Sequence, residues 1–189
     1  KEDSKGNLWI CTSRAGVYKL TTDGGVKKYD KSNGLNGELY RTVTELSDNT
    51  ILVAGDSGMS FIKDDDSVYN IGTQMINSKV LCTLQADDKT IFAGTDGNGI
   101  EVIRDGVIVG NFGKNEGLSS GVILRMVEDS SGDGIFIVTS NSICYMDKTQ
   151  NIRVLKNFPY YNNYDIVNGK DGMLFVLSSA GIFVVDEKK

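Results

Sequence analysis

The side chains best suited to chemistry sit in a few short clusters. Asp129-Ser130-Ser131-Gly132-Asp133-Gly134 places oxygen-bearing side chains at positions one, three and five and glycine at position six, the opening of a calcium loop. The twelfth position is Ser140, where such a loop closes with a bidentate Glu. The residues therefore point to a plain turn. Asp64-Asp65-Asp66 could gather a divalent cation through waters, but three acids between apolar runs read more simply as a solvated hairpin tip. Asp96-Gly97-Asn98-Gly99 is glycine-rich, yet no strand-to-helix pattern follows, so it does not read as a phosphate loop. No metal site and no cofactor are expected.

Covalent and acid–base chemistry is poorly supplied. The chain has no histidine, which removes the commonest general base and zinc ligand. Cys11, Cys82 and Cys144 lie in three separate apolar runs without metal-ligand spacing, and are expected to be buried free thiols. No catalytic residue is expected. The densest unusual segment is Phe158-Pro159-Tyr160-Tyr161-Asn162-Asn163-Tyr164, with four of the chain's sixteen aromatics. It reads either as a connection packed on its own sheet or as an aromatic, amide-bearing lip for a sugar or peptide.

These clusters sit in a repeating frame. A bulky anchor recurs as Trp9, Leu52, Phe92, Phe136 and Phe175, each within an apolar run. A period of ~40–45 residues built from short strands is the sign of a propeller blade. Asp48-Asn49, Asp88-Lys89, Asp133-Gly134 and Asp171-Gly172 mark the first hairpin of each repeat, and Gly16, Gly58, Gly99 and Gly181 the start of its third strand. Runs such as Ile135-Phe136-Ile137-Val138 are apolar at every position, as strands covered on both faces are. All five anchors are therefore expected to be buried.

The expected fold class is all-β: a propeller fragment of about four to five four-stranded antiparallel blades. One domain covers residues 1–189, with repeats near 1–38, 39–78, 79–118, 119–160 and 161–189. The first repeat is expected to lack its innermost strand and the fifth its outermost, so the chain reads as a piece of a longer protein. Two blade faces, near Leu8–Ile10 and Leu174–Leu177, would be left uncovered, and self-association of the fragment is expected. Net charge is −5 and no basic stripe is present, which argues against nucleic acid. No apolar run is long enough to cross a membrane, so membrane attachment would need a further segment.

Glu2-Asp3-Ser4-Lys5-Gly6-Asn7-Leu8-Trp9-Ile10-Cys11-Thr12, followed by Gly16-Val17-Tyr18, resembles the two-component-regulator propeller repeat. That pattern runs Asp-x-x-Gly-x-Leu-Trp-x-Gly-Thr, then Gly-Leu and an aromatic; Cys11 stands where glycine is usual, and later copies lack the Trp. Asn33-Gly34-Leu35 and Glu116-Gly117-Leu118 resemble the family's Gly-Leu segment between blades. Residues 116–126 and 157–166 are similar to sensor propellers fused to diguanylate cyclases in anaerobic Gram-positive bacteria. The resemblance implies an extracellular or extracytoplasmic sensory module of a bacterial membrane protein, passing a signal to a cytoplasmic cyclase or histidine kinase. The Asp3-to-Trp9 turn also resembles the sialidase Asp-box, but sialidases need converging arginines, and nothing brings Arg14, Arg41, Arg104, Arg125 and Arg153 together in sequence. A protein-binding scaffold is the alternative, and a glycan-active enzyme stands behind it.

In a four-stranded meander the second-to-third-strand turns and the crossovers between blades emerge on one side. Recognition residues gather on loops carried by a rigid scaffold. The candidate ligand-binding residues are therefore Arg14, Tyr40, Arg41, Asp96, Asn98, Tyr160, Tyr161 and Asn162. The ligand would be a small molecule, glycan or peptide.

Overall fold

The structure, a computed structural model, describes residues 1–189 except 73–75, 77, 159–163, 170–172, 179–180 and 187–189. Its strands form five antiparallel meanders. Blade one holds β1 (Leu8–Cys11), β2 (Val17–Leu20) and β3 (Val26–Tyr29). Blade two holds β4 (Tyr40–Glu45), β5 (Ile51–Gly55), β6 (Gly58–Ile62) and β7 (Val68–Gly72). Blade three holds β8 (Val80–Gln85), β9 (Ile91–Thr95), β10 (Ile100–Arg104) and β11 (Val107–Phe112). Blade four holds β12 (Ile123–Glu128), β13 (Gly134–Thr139), β14 (Ser142–Asp147) and β15 (Ile152–Asn157). Blade five holds β16 (Asp165–Asn168), β17 (Met173–Ser178) and β18 (Gly181–Asp186).

Blade one keeps more of its inner strand than its sequence suggests. The Lys1 ammonium donates to the Trp9 carbonyl at 3.0 Å, and the Trp9 N–H returns a bond to Lys1 at 2.8 Å. Glu2 bridges Leu8 in the same antiparallel sense.

The core is divided among the seams between blades, because side chains alternate along a strand. Ile51 and Val53 of β5 pack toward blade one, with Trp9, Tyr29 and Leu35. Leu52 and Ala54 of the same strand pack toward blade three, with Ile91 and Ile103. On β13, Ile135 and Ile137 join Phe92 and Ile123 between blades three and four. Phe136 and Val138 join Ile166, Leu174 and Val176 between blades four and five. A central strand therefore serves two cores at once, which is why it is apolar at every position.

Each anchor points at the next blade. Trp9, Leu52, Phe92 and Phe136 are buried as expected. Phe175 is only half-buried, against expectation. Leu174 and Val176 face blade four, while Phe175 and Leu177 face the side on which no described residue packs. Ile182 and Val184 pair with Leu177 and Phe175 and are likewise exposed. At the other end Leu8 and Ile10 are exposed beside buried Trp9. Both end faces of the arc are thus apolar and uncovered.

The first hairpin of blade one shows why its sequence is distinctive. The Asp3 carboxylate accepts the Trp9 indole N–H at 2.7 Å, the Asn7 backbone N–H at 2.8 Å and the Lys5 N–H at 3.0 Å. Burial pushes its pKa up, but the bonds from Trp9, Asn7 and Lys5 outweigh burial and hold it below the usual carboxylate range. In blade four a different donor does this work: Tyr145 reaches Asp129 with its hydroxyl at 2.8 Å. Asp129 also accepts the Ser131 N–H at 2.8 Å, an Asx-turn bond inside the calcium-like stretch.

Two expectations for polar groups need correction. The Asp64–Asp66 tip is not merely solvated: Lys5 pairs with Asp64 at 2.6 Å, while Asp66 pairs with Lys27 and accepts the Tyr29 hydroxyl. It ties blade two to blade one. Of the thiols, Cys82 and Cys144 are buried but Cys11 is only half-buried; it shares Trp9's side of β1, faces blade two and donates to the Thr42 carbonyl at 3.4 Å. Burial pushes the Cys11 and Cys82 thiols up to about 12, so both are poor nucleophiles.

Candidate functional site

The second-to-third-strand turns and the blade crossovers share one face, bound to each other by backbone hydrogen bonds. The Gly16 N–H donates to Glu38 at 2.9 Å and the Tyr40 N–H to Thr12 at 3.0 Å. Two blades on, the Gly99 N–H donates to Gly121 at 2.8 Å and the Gly97 N–H to the same carbonyl at 3.1 Å. Gly99 has φ of 75°, and a Cβ there would stand 2.0 Å from the Phe112 carbonyl oxygen, so only glycine fits.

The crossovers into blades two and four have one design. Residues Lys31–Asn33 and Lys114–Glu116 each form a single 3-10 turn, closed by Gly34 and Gly117 in the left-handed region. Leu35 and Leu118 follow and are buried in the seam cores. The crossover into blade three instead buries Ile76, and the one into blade five stacks Phe158 on Tyr164 at 3.8 Å between ring centroids.

Polar nests lie beneath this face. The Tyr40 hydroxyl donates to Asn36 at 2.9 Å and lies 3.0 Å from the Ser60 hydroxyl. In blade three Asn98 donates to the Glu101 carboxylate at 2.6 Å, and Asn111 donates to the Asn98 carbonyl at 2.7 Å. In blade four Ser119, Thr139, Asn141 and Ser142 bond one another.

The candidate residues divide three ways. Arg14, Arg41, Asp96 and Asn98 lie exposed on this face. Arg41 pairs with Asp56 at 2.8 Å, and Asn98 spends its amide on Glu101. Tyr40 is buried, with its ring in the core between blades one and two. It supports the face from below and offers a ligand no surface. Tyr160, Tyr161 and Asn162 lie outside the described residues. Among the described residues no group of three or more Cys, Asp and Glu side chains is arranged to hold a metal.

Glu101 is buried, and its pKa is raised: burial pushes it up, and the amides of Asn98 and Asn111 only partly offset this. A raised folded-state value means that the fold favours the protonated acid. That stabilisation is full below the ordinary Glu value and is lost as pH rises through the folded value. Glu101→Gln keeps the shape and removes the charge. It is expected to stabilise the chain at pH 7 by about 1 kcal/mol, or about 2–4 °C in melting midpoint, with the gain vanishing near pH 3.5. A lower midpoint at pH 7 would contradict the assignment.

The fold has solved counterparts. The extracellular domain of one hybrid two-component system from B. thetaiotaomicron superposes with a TM-score of 0.83 at 16% identity, covering 100% of this chain and 29% of that one. A second such domain from B. thetaiotaomicron gives 0.82 at 17% identity, covering 99% of this chain and 26% of that one. At these identities the likeness is one of fold. Virginiamycin B lyase from Staphylococcus aureus is similar at a TM-score of 0.75 and 14% identity, over 98% of this chain and 68% of the lyase. No family model and no curated protein sequence matches the chain. The chain spans less than a third of the two-component-system domains it superposes on.

The described candidates, Arg14, Tyr40, Arg41, Asp96 and Asn98, lie on one face of the propeller but do not converge on one pocket. A cavity of about 350 Å³ lies on the opposite face, between blades three and four. Its residues Asp87 and Glu128 escaped the sequence reading, which took each repeat singly and did not set the ends of successive inner strands against the turns beside them.

Proposed function

We propose that the chain is an arc of an extracytoplasmic recognition propeller from a bacterial signalling protein. It binds a small molecule, glycan or peptide on the crossover face and passes the event to a cytoplasmic cyclase or kinase domain. The observation that carries this reading is the superposition of the whole chain on the extracellular domain of a hybrid two-component system, at a TM-score of 0.83. The exposed Arg14, Arg41, Asp96 and Asn98, with Tyr160, Tyr161 and Asn162 of the last crossover, are the proposed contacts. No helix among the described residues is long and apolar enough to cross a membrane, so attachment falls to a segment beyond the strands described.

Recognition is preferred to catalysis although a lyase shares the fold, since one fold hosts many functions. The S. aureus lyase is inactive when a histidine is replaced by alanine, and these 189 residues contain none.

A glycan and peptide array, followed by thermal-shift titration of the hits, tests the proposal. Arg14→Ala and Arg41→Ala should weaken a genuine hit at least fivefold. A hit unaffected by both, and mapped to first-hairpin turns such as Asp48-Asn49, would overturn the placement. The second reading, a protein-binding scaffold, is favoured by the two apolar end faces, where Val26 and Ile182 are each 67% exposed. Light scattering that shows concentration-dependent assembly, with no array hit, would favour it.

A further inference from the structure

Two seams share one tie at the face of the first hairpins, and the seam between blades three and four departs from it. Between blades one and two, the Ser4 N–H and hydroxyl donate to Glu45 at 2.8 and 2.6 Å. Between blades two and three, the Ser47 N–H donates to the Gln85 side chain at 2.7 Å. Ser4 and Ser47 each follow the residue that opens the first hairpin, whose N–H closes that turn: Asp3 bonds Asn7, and Leu46 bonds Thr50. Ala86 bonds Thr90 in the same way, so the third member is Asp87. Glu45, Gln85 and Glu128 each end the inner strand of the following blade. Between blades three and four the tie is therefore replaced by two carboxylates. Neither side chain has a hydrogen-bond or ion-pair partner among the described residues.

Both carboxylates are exposed at the rim of this seam. The cavity of about 350 Å³ opens at that point, a volume in the range of small-ligand sites. Its floor is the buried core of the seam: Phe92, Ile135 and Met146. The other charged groups at the mouth are engaged nearby. Asp88 accepts the Thr90 N–H at 2.9 Å and lies 3.8 Å from Arg104, Asp147 caps its own turn, and Lys148 pairs with Asp133 at 3.2 Å. Burial, then the Asp87 charge, push the Glu128 carboxyl up, so this acid lacks a compensating cation.

We propose that the cleft between blades three and four binds a small amphipathic amine. Its apolar body rests on Phe92, Ile135 and Met146, and its ammonium lies between Asp87 and Glu128. An apolar floor beneath unpaired acids selects this class, since an apolar anion would add a third negative charge and a bare cation would leave the floor wet. The site lies on the face opposite the crossovers, so it stands or falls apart from the reading above.

Tryptamine is a suitable probe, with indole-3-propionate as its matched anion. Titration of the whole chain, followed by methyl NMR at Ile135 and Met146, is expected to show saturable tryptamine binding and none of the anion. Glu128→Gln should weaken binding at least fivefold. Asp87→Ser supplies the residue that forms the tie in the first two seams; it should close the mouth, abolish binding and raise the thermal midpoint. Equal binding of the anion, absence of saturable tryptamine binding, or binding unchanged in Asp87→Ser overturns the proposal.

Discussion

Phe136→Ala is expected to lower the stability of the chain by about 3–5 kcal/mol, the usual cost of truncating a fully packed aromatic. Phe136 lies in the core between blades four and five, with its ring edge-on to Tyr145 at 5.1 Å. Deleting it leaves a cavity bounded by two rigid sheets, which cannot collapse without moving a blade. The informative comparison is Phe175→Ala. Phe175 holds the same place in its repeat but faces an uncovered side. Its loss should cost less than half as much. Equal costs in urea denaturation would mean that the fifth blade's outer face is covered in solution, and would redraw that end of the arc.

The second large effect concerns Asp3. Asp3→Ala leaves the Trp9 indole N–H and two turn N–H groups without their acceptor, at an expected cost of about 3 kcal/mol at pH 7. The cost should depend on pH. Because the Asp3 pKa is depressed in the fold, its contribution is complete above the ordinary carboxylate value of about 4 and fades as pH falls through the folded value. The gap between the parent chain and Asp3→Ala should therefore narrow in the acid limb of a pH–stability curve. A gap that stays constant down to pH 2 would show that the carboxylate's charge contributes nothing.

The strand plan was legible because two periods overlap in the sequence. Alternation within strands and recurrence of the anchor both survive the loss of the Trp after the first repeat. β1, β5, β9, β13 and β17 each carry the anchor expected of their repeat. What escaped was whatever depends on a neighbour. The half-burial of Phe175 follows from a blade that no described residue supplies, and a strand's own residues carry no trace of that. Asp64 and Asp66 looked like solvated acids because Lys5, Lys27 and Tyr29, which engage them, lie a full repeat away. Tyr40 is not on a loop: it opens β4 at the crossover face, and its ring turns inward. Asp87 and Glu128 are ordinary in isolation, and only their superposition on Ser4–Glu45 and Ser47–Gln85 shows that a tie has become a repulsive pair.

The crossovers bear on how such a chain can lengthen. Those into blades two and four share the Gly-Leu plug, whereas those into blades three and five are closed by Ile76 and by the Phe158–Tyr164 stack. Adjacent blades are thus joined by different plugs, and among the described residues only the joints into blades two and four match. Deleting blade three together with its crossover would set the two Gly-Leu plugs in succession, the second against a core built around Ile76. The blades are therefore not freely exchangeable units: each carries the plug of the seam it enters.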